Sequence, residues 1–144
     1  MIEFSPVVLK EIDNFNTTGV CENALAISVR TWKCKHEKNI KRKYNFETYR
    51  EKILDVLEKT PTINKIIISL DNHDVENDYI ELCKSQNKEY IILKKPEILN
   101  ELQYVLYKVM ILSKCCSFIG NRISTYSELV FWFSECKIKV HPLF

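Results

Sequence analysis

The chain has 144 residues, of which 46% are apolar and 28% charged. That balance belongs to one globular domain with its own core and excludes disordered and fibrous classes. A net charge of +2 is too small to argue for a nucleic-acid partner, no apolar run reaches the roughly 20 residues that span a bilayer, and no signal-peptide pattern opens the chain. The location expected is cytoplasmic by default, or that of a longer parent protein.

A first helix is expected at about Pro6–Phe15, before "ALAISVR" (Ala24–Arg30), which reads as a buried strand. "NFETYREKILDVLEK" follows, with Asn45 as N-cap and Phe46, Tyr49, Ile53, Val56 and Leu57 on one helical face. "KIIISL" (Lys65–Leu70) is a second buried strand. "DNHDVENDYIELCKSQ" (Asp71–Gln86) opens on capping residues and becomes a short amphipathic helix. "EYIIL" (Glu89–Leu93) is the third strand. A long helix over about Ile98–Lys114 places Leu102, Val105, Leu106, Val109 and Leu112 inward. "CSFIG" is the fourth strand and "TYSELVFWFSE" a helix apolar nearly all round, so Phe131, Trp132 and Phe133 are expected in the core. "KIKVH" (Lys137–His141) is the fifth strand.

Strand and helix alternate throughout, and the strands lack polar alternation, as strands covered on both faces do. The expected fold is α/β: a Rossmann-like, doubly wound parallel sheet of about five strands with helices on both faces, in a single domain over residues 1–144. Ligands of such sheets bind beyond the carboxyl ends of the strands, so the loops after those ends carry the functional reading.

After the first strand stand Arg30 and Thr31, then a basic loop with Lys33, Lys35, Lys38, Lys41, Arg42 and Lys43. A guanidinium at a strand end suits a phosphate or pyrophosphate; the plainer reading pairs Arg30 with a nearby carboxylate. The lysines read as a solvated loop that contributes steering charge. After the second strand, Asp71 and Asn72 sit where they reach a sugar or base edge, while Asn72 or Asp74 also serves as a helix cap. His73 shows no partner. The loop after the third strand, with Lys94, Lys95 and Pro96, carries no functional signal.

The fourth end, "GNRISTYS", groups Gly120, Asn121, Arg122, Ser124, Thr125 and Ser127. Gly120 permits a tight turn or a close approach to ligand. Thr125 and Glu128 match the T-x-x-E capping box, which marks a helix start. A helix N-terminus with adjacent hydroxyls is an anion site, although capping alone also accounts for Ser124 and Thr125.

The six cysteines, Cys21, Cys34, Cys83, Cys115, Cys116 and Cys136, form no CxxC pair and read as reduced, mostly apolar core residues. Cys34 and His36 are close, without further ligands at zinc spacing, so no metal site is expected. Neither GxxxxGK[ST] nor GxGxxG occurs, which disfavours a P-loop NTPase and a dinucleotide dehydrogenase.

The order and spacing of "AISVRTWK", "KIIISLDNHDVENDYI" and "YKVMILSKCCSFIGNRISTYSELVFWF" resemble the donor-binding half of the fucosyltransferase superfamily, which includes α1,2-, α1,6- and protein O-fucosyltransferases. The resemblance runs from about Phe4 to Pro142. It implies the C-terminal Rossmann-like half of a GT-B glycosyltransferase that binds GDP-fucose or a related nucleotide sugar. The family's diphosphate-binding arginine falls on Arg30, its acidic residue after the second strand on Asp71, and its phosphate-contacting hydroxyls on Ser124 and Thr125, with Ser127 beside them. The family histidine is replaced by Ser28, its second arginine by Thr31 and a nearby acid by Lys33. An aspartate that some members carry before the fourth strand falls on Val109.

These observations together lead to a glycosyltransferase donor domain. Arg30 and Asp71 are its candidate catalytic residues. Arg30, Thr31, Asp71, Asn72, Gly120, Asn121, Arg122, Ser124, Thr125 and Ser127 are its candidate substrate-binding residues. Transfer to a glycan or protein acceptor would be inverting, without a cofactor or an obligatory metal, and an acceptor-binding half would come from elsewhere. The alternative is a non-catalytic nucleotide-binding or interaction module of the same fold.

Overall fold

Five short apolar runs become strands: β1 (Ala24–Val29), β2 (Lys65–Leu70), β3 (Glu89–Ile92), β4 (Ser117–Gly120) and β5 (Lys139–Pro142). In the computed structural model, which describes residues 5–31, 44–121 and 124–143, they form one sheet in the order β3-β2-β1-β4-β5. Every neighbouring pair is parallel. β1 lies at the centre and is buried along its whole length, which is why its sequence shows no alternation.

The helices are α1 (Pro6–Phe15), α2 (Phe46–Lys59), α3 (Glu76–Ser85), α4 (Glu101–Ser113) and α5 (Thr125–Phe133), with a single 3-10 turn at His73–Val75 before α3. Asn45 caps α2 by accepting the Glu47 N–H at 2.9 Å, and Asn100 with Gln103 forms a reciprocal capping box on α4. Successive strand residues point to opposite faces. Ala24, Ala26, Ile67 and Phe118 pack with α1, α4 and α5. Leu25, Ile27, Ile66, Ile68 and Ile119 pack with α2 and α3.

Several expected positions differ. The inward face of α4 is Tyr107, Val109, Ile111 and Leu112, whereas Leu102 is 73% exposed and Val105 is also exposed. The helix is apolar on so many sides that its periodicity does not select the buried face. The same holds for α5: only Val130 is fully buried, Phe131 and Phe133 are half-buried, and Trp132 is 65% exposed. Trp132 is therefore a surface residue. Of the cysteines, Cys21, Cys83 and Cys115 are buried free thiols, but Cys116 and Cys136 are exposed. Cys116 caps the carbonyl of Ala24 at 3.2 Å. Cys34, His36 and the basic loop from Lys33 to Lys43 lie outside the described residues, as does Arg122.

No helix among the described residues is long and apolar enough to cross a membrane.

Candidate ligand site at the carboxyl edge of the sheet

From β1 the chain winds outward through β2 to β3, then returns to β4 on the other side of β1 and continues to β5. The reversal lies between β1 and β4, and a crevice at such a reversal is where doubly wound sheets hold ligands. Arg30 leaves β1 on one side of it, and Asn121 leaves β4 on the other.

The β1–β2 side is closely bonded. The register pairs Ser28 with Ser69 and Val29 with Leu70, so Arg30 and Asp71 emerge side by side. The Asp71 carboxylate accepts the Thr31 backbone N–H at 3.0 and 2.9 Å and the Thr31 hydroxyl at 3.0 Å. Its Oδ2 lies 4.0 Å from Arg30 Nε. Both readings of Arg30 thus meet in one place: the residue is at the ligand edge and also beside a carboxylate. The Arg30 N–H donates to the Tyr49 hydroxyl at 3.1 Å, which donates in turn to the Ser28 carbonyl at 3.4 Å. Burial pushes the Tyr49 phenol up to about 12, so it remains a neutral donor at all ordinary pH.

Asn72 is occupied locally, accepting the Asp74 N–H at 3.1 Å as the cap of the 3-10 turn. His73, expected to lack a partner, lies 3.4 Å from the Glu76 carboxylate, which also pairs with Lys94 at 3.2 Å.

The β4–α5 side is built differently. Gly120 is the last residue of β4, paired with Pro142 of β5, and it does not adopt a left-handed conformation. The expected tight turn is not the reason for a glycine here. A Cβ at this position would lie 2.6 Å from the Phe118 ring and 2.6 Å from Ser127 Oγ. Glycine is required because the first turn of α5 packs directly onto the strand end.

Asn121 is only 6% exposed, and among the described residues neither its amide nitrogen nor its amide oxygen has a hydrogen-bond partner. Together with Gly120, Ser127, Glu128, Phe131 and Pro142 it lines an open groove of about 380 Å³. Ser124 is the N-cap of α5, but its side chain makes no capping bond. The T-x-x-E box does not close because the helix begins one residue earlier than that motif requires. With Ser124 as cap, the third helical residue is Ser127 and not Glu128. Thr125 is exposed, and Ser124 and Ser127 are half-buried.

Two residues of the site had not been singled out from the sequence. Lys108 of α4 and Tyr126 of α5 join Ser28, Arg30, Ser69 and Asp71 around a small pocket of about 30 Å³. Val109, expected at the family's aspartate position, is fully buried in the core, and it is Lys108 that reaches the site. Burial lowers the Lys108 ammonium below its usual range, and the Arg30 charge lowers it further, against the opposing pull of Asp71 and Glu101. Tyr126 is shifted upward by burial, and its hydroxyl has no hydrogen-bond partner. One signal was available: Lys108 is the sole cation in the otherwise apolar stretch Glu101–Ser113.

No protein-family model matches the chain, and no curated protein matches it significantly. Solved structures do match. The chain is similar to POFUT1 in complex with GDP-fucose, with a TM-score of 0.65 and 12% identity over 97% of this chain and 46% of that one. Against POFUT1 in complex with GDP the TM-score is 0.64 and the identity 13%, over 98% of this chain and 48% of that one. Against a mutant of Arabidopsis thaliana FUT1 in complex with GDP the values are 0.65 and 9%, over 94% and 33%. The chain thus spans between a third and a half of the length of these fucosyltransferases. At such identities the likeness is one of fold: the sheet and its helices are those of a Rossmann-like half of a fucosyltransferase of GT-B type.

Proposed function

We propose that the chain binds a nucleoside diphosphate sugar, GDP-fucose or a close relative, in the crevice between β1 and β4, as the donor-binding half of an inverting glycosyltransferase. The observation that carries this reading is the convergence of Arg30 and the start of α5 on the strand-order reversal, with the unpartnered Asn121 amide buried there. A buried amide without a partner costs about 1–3 kcal/mol, and a polar ligand removes that cost.

In this reading Arg30 binds the diphosphate, and Ser124, Thr125 and Ser127 supply donors at a helix end whose N–H groups favour an anion. Gly120 keeps α5 close to the strand, and Asn121 reads a polar edge of the ligand. Asp71 acts through Thr31 and Arg30, holding the end of β1 in place, and Asn72 shapes the adjoining turn. As the anomeric bond breaks, the departing diphosphate gains charge, which Arg30 and the α5 N-terminus stabilise electrostatically. The general base and the acceptor, a glycan or a protein side chain, belong to the part of the enzyme that this chain does not span. A non-catalytic nucleotide-binding module is the second reading, favoured by Ser28 and Thr31 standing where the family it resembles has a histidine and an arginine.

Calorimetric titration with GDP, UDP and their sugars tests for the site, and a hydrolysis or transfer assay then separates enzyme from module. Arg30→Ala is expected to weaken diphosphate binding by about tenfold or more with the fold intact. Absence of binding by any nucleoside diphosphate at millimolar concentration overturns the proposal.

A further inference from the structure

We propose that Lys108 and Arg30 together form a two-cation seat for one terminal phosphate oxygen of the donor's diphosphate, so that Lys108 sets the preference for diphosphates over monophosphates. This rests on the donor-site reading above and adds a residue and a ligand preference to it.

The geometry comes from four elements. Ser28 of β1 with Arg30 just after it, and Ser69 of β2 with Asp71 just after it, alternate onto the face covered by α4 and α5, where Lys108 and Tyr126 close the pocket. Its volume of about 30 Å³ exceeds the roughly 10–15 Å³ needed to hold one water-sized atom and is far too small for a whole nucleotide. One oxygen enters, while the rest of the ligand lies in the crevice outside.

The electrostatics require an anion there. Lys108 Nζ sits 4.5 Å from the centre of the Tyr104 ring and 5.9 Å from that of Tyr126. Among the described residues it makes no hydrogen bond or ion pair. Aromatic faces attract an ammonium but supply no hydrogen-bond acceptor, so its three donors remain unmatched on the protein side. The charged and titratable groups facing it are Arg30, Asp71, Glu101, Tyr104 and Tyr126. Asp71 is committed to Thr31 through both oxygens. Two cations therefore share one engaged carboxylate at the pocket, with Glu101 acting only from the helix start. A desolvated ammonium without an acceptor is costly to keep, and an anionic oxygen placed beside Lys108, with the Arg30 charge near it, removes that cost.

The test compares GDP with GMP by calorimetry on the wild-type chain, Lys108→Met and Lys108→Arg. Wild type is expected to bind GDP at least about tenfold more tightly than GMP. Lys108→Met removes most of that difference, with GMP affinity unchanged within about twofold, and Lys108→Arg restores part of it; charge-assisted bonds are of the strength this needs. GDP binding at alkaline pH should also take up protons in wild type, because an anion draws the lowered Lys108 ammonium back to its charged form, and this uptake should vanish in Lys108→Met. Without ligand, Lys108→Met should melt no lower than wild type. If wild type binds GDP but Lys108→Met keeps the wild-type ratio, or if GDP and GMP bind equally, the seat is wrong and the donor site stands. If the ligand-free variant melts several degrees lower and loses both ligands alike, Lys108 is structural and the proposal falls. If wild type binds neither nucleotide, the donor-site reading fails and takes this one with it.

Discussion

The two sides of the crevice differ in how their polar groups are used. On the β1–β2 side, the Thr31 N–H and hydroxyl meet Asp71, the Arg30 N–H meets Tyr49, and Tyr49 meets the Ser28 carbonyl. On the β4–α5 side, Asn121 is as deeply buried as a core residue, yet among the described residues its amide atoms have no hydrogen-bond partner, and the Ser124 side chain makes no capping bond. Buried polar groups are nearly always satisfied within a protein or by water. A side that is self-satisfied serves as a rigid frame, and a side that is not serves as the receiving surface. The contrast gives Arg30 a fixed position from which to meet the diphosphate and makes Asn121 and the α5 start the open part of the site.

The largest expected effect breaks the receiving side by sterics. In Gly120→Val the Cβ would fall within 2.6 Å of both the Phe118 ring and Ser127 Oγ. The Phe118 ring has no free space to move into, since it is fully buried in the core. Overpacking of this kind costs about 1–3 kcal/mol, occasionally more, and chemical denaturation should place Gly120→Val near the upper end. It should also lift the first turn of α5 and abolish nucleotide binding. A variant of wild-type stability would show that the close approach of α5 to β4 is not real.

The next pair of substitutions tests the contrast directly, because the two sides should respond with opposite sign. Tyr49→Phe removes the hydroxyl that accepts the Arg30 N–H and leaves that donor without its partner, at a cost of about 1–3 kcal/mol. Asn121→Leu deletes an amide that has no hydrogen-bond partner among the described residues, keeps its heavy-atom count and branching, and should leave stability unchanged or raise it by about 1 kcal/mol. Binding should behave differently: Asn121→Leu loses nucleotide affinity while gaining stability. Equal destabilisation by the two variants in urea melts would erase the distinction between frame and receiving surface.

How much of this could be read in advance follows from the same physics. β2, α1 and the Asn45 cap of α2 are found where the pattern places them, because short apolar runs bounded by caps and turns have one easy solution. The ligand edge was legible too, since alternating strands and helices imply a parallel sheet with ligands beyond its carboxyl ends, and Arg30 directly follows β1. α4 and α5 were misread because apolar residues surround them. With no polar face to break the symmetry, contacts with neighbouring elements decide that Leu102 and Trp132 face outward. Lys108 was missed for the same reason, since its orientation depends on the rotation of α4. The Asp71–Thr31 clamp runs largely through a backbone N–H, which leaves no trace in residue types.

The smallest expected effect lies at the rim of the receiving side, where β5 is the edge strand. His141 pairs with Ile119 of β4, and its Nε2 is buried without a partner. Burial, and then the nearby Lys139 and Lys52 charges, lower its pKa below the ordinary 6.5, against a smaller opposing pull from Asp55. A histidine with a depressed native pKa binds fewer protons folded than unfolded, so stability is full above about pH 6.5 and falls as the pH drops through the native value. The residue is half-buried at the sheet edge, so solvent screens part of this and the shift should be slight. Thermal midpoints at pH 7.5 and 5.5 should show a decline in wild type that shrinks in His141→Gln, whereas an identical decline in both would place the acid sensitivity elsewhere in the fold. Because β5 borders the groove beside Gly120 and Pro142, a loosened edge should also weaken nucleotide binding at the lower pH in wild type more than in His141→Gln. Acid should thus act on the site through its β4–β5 rim.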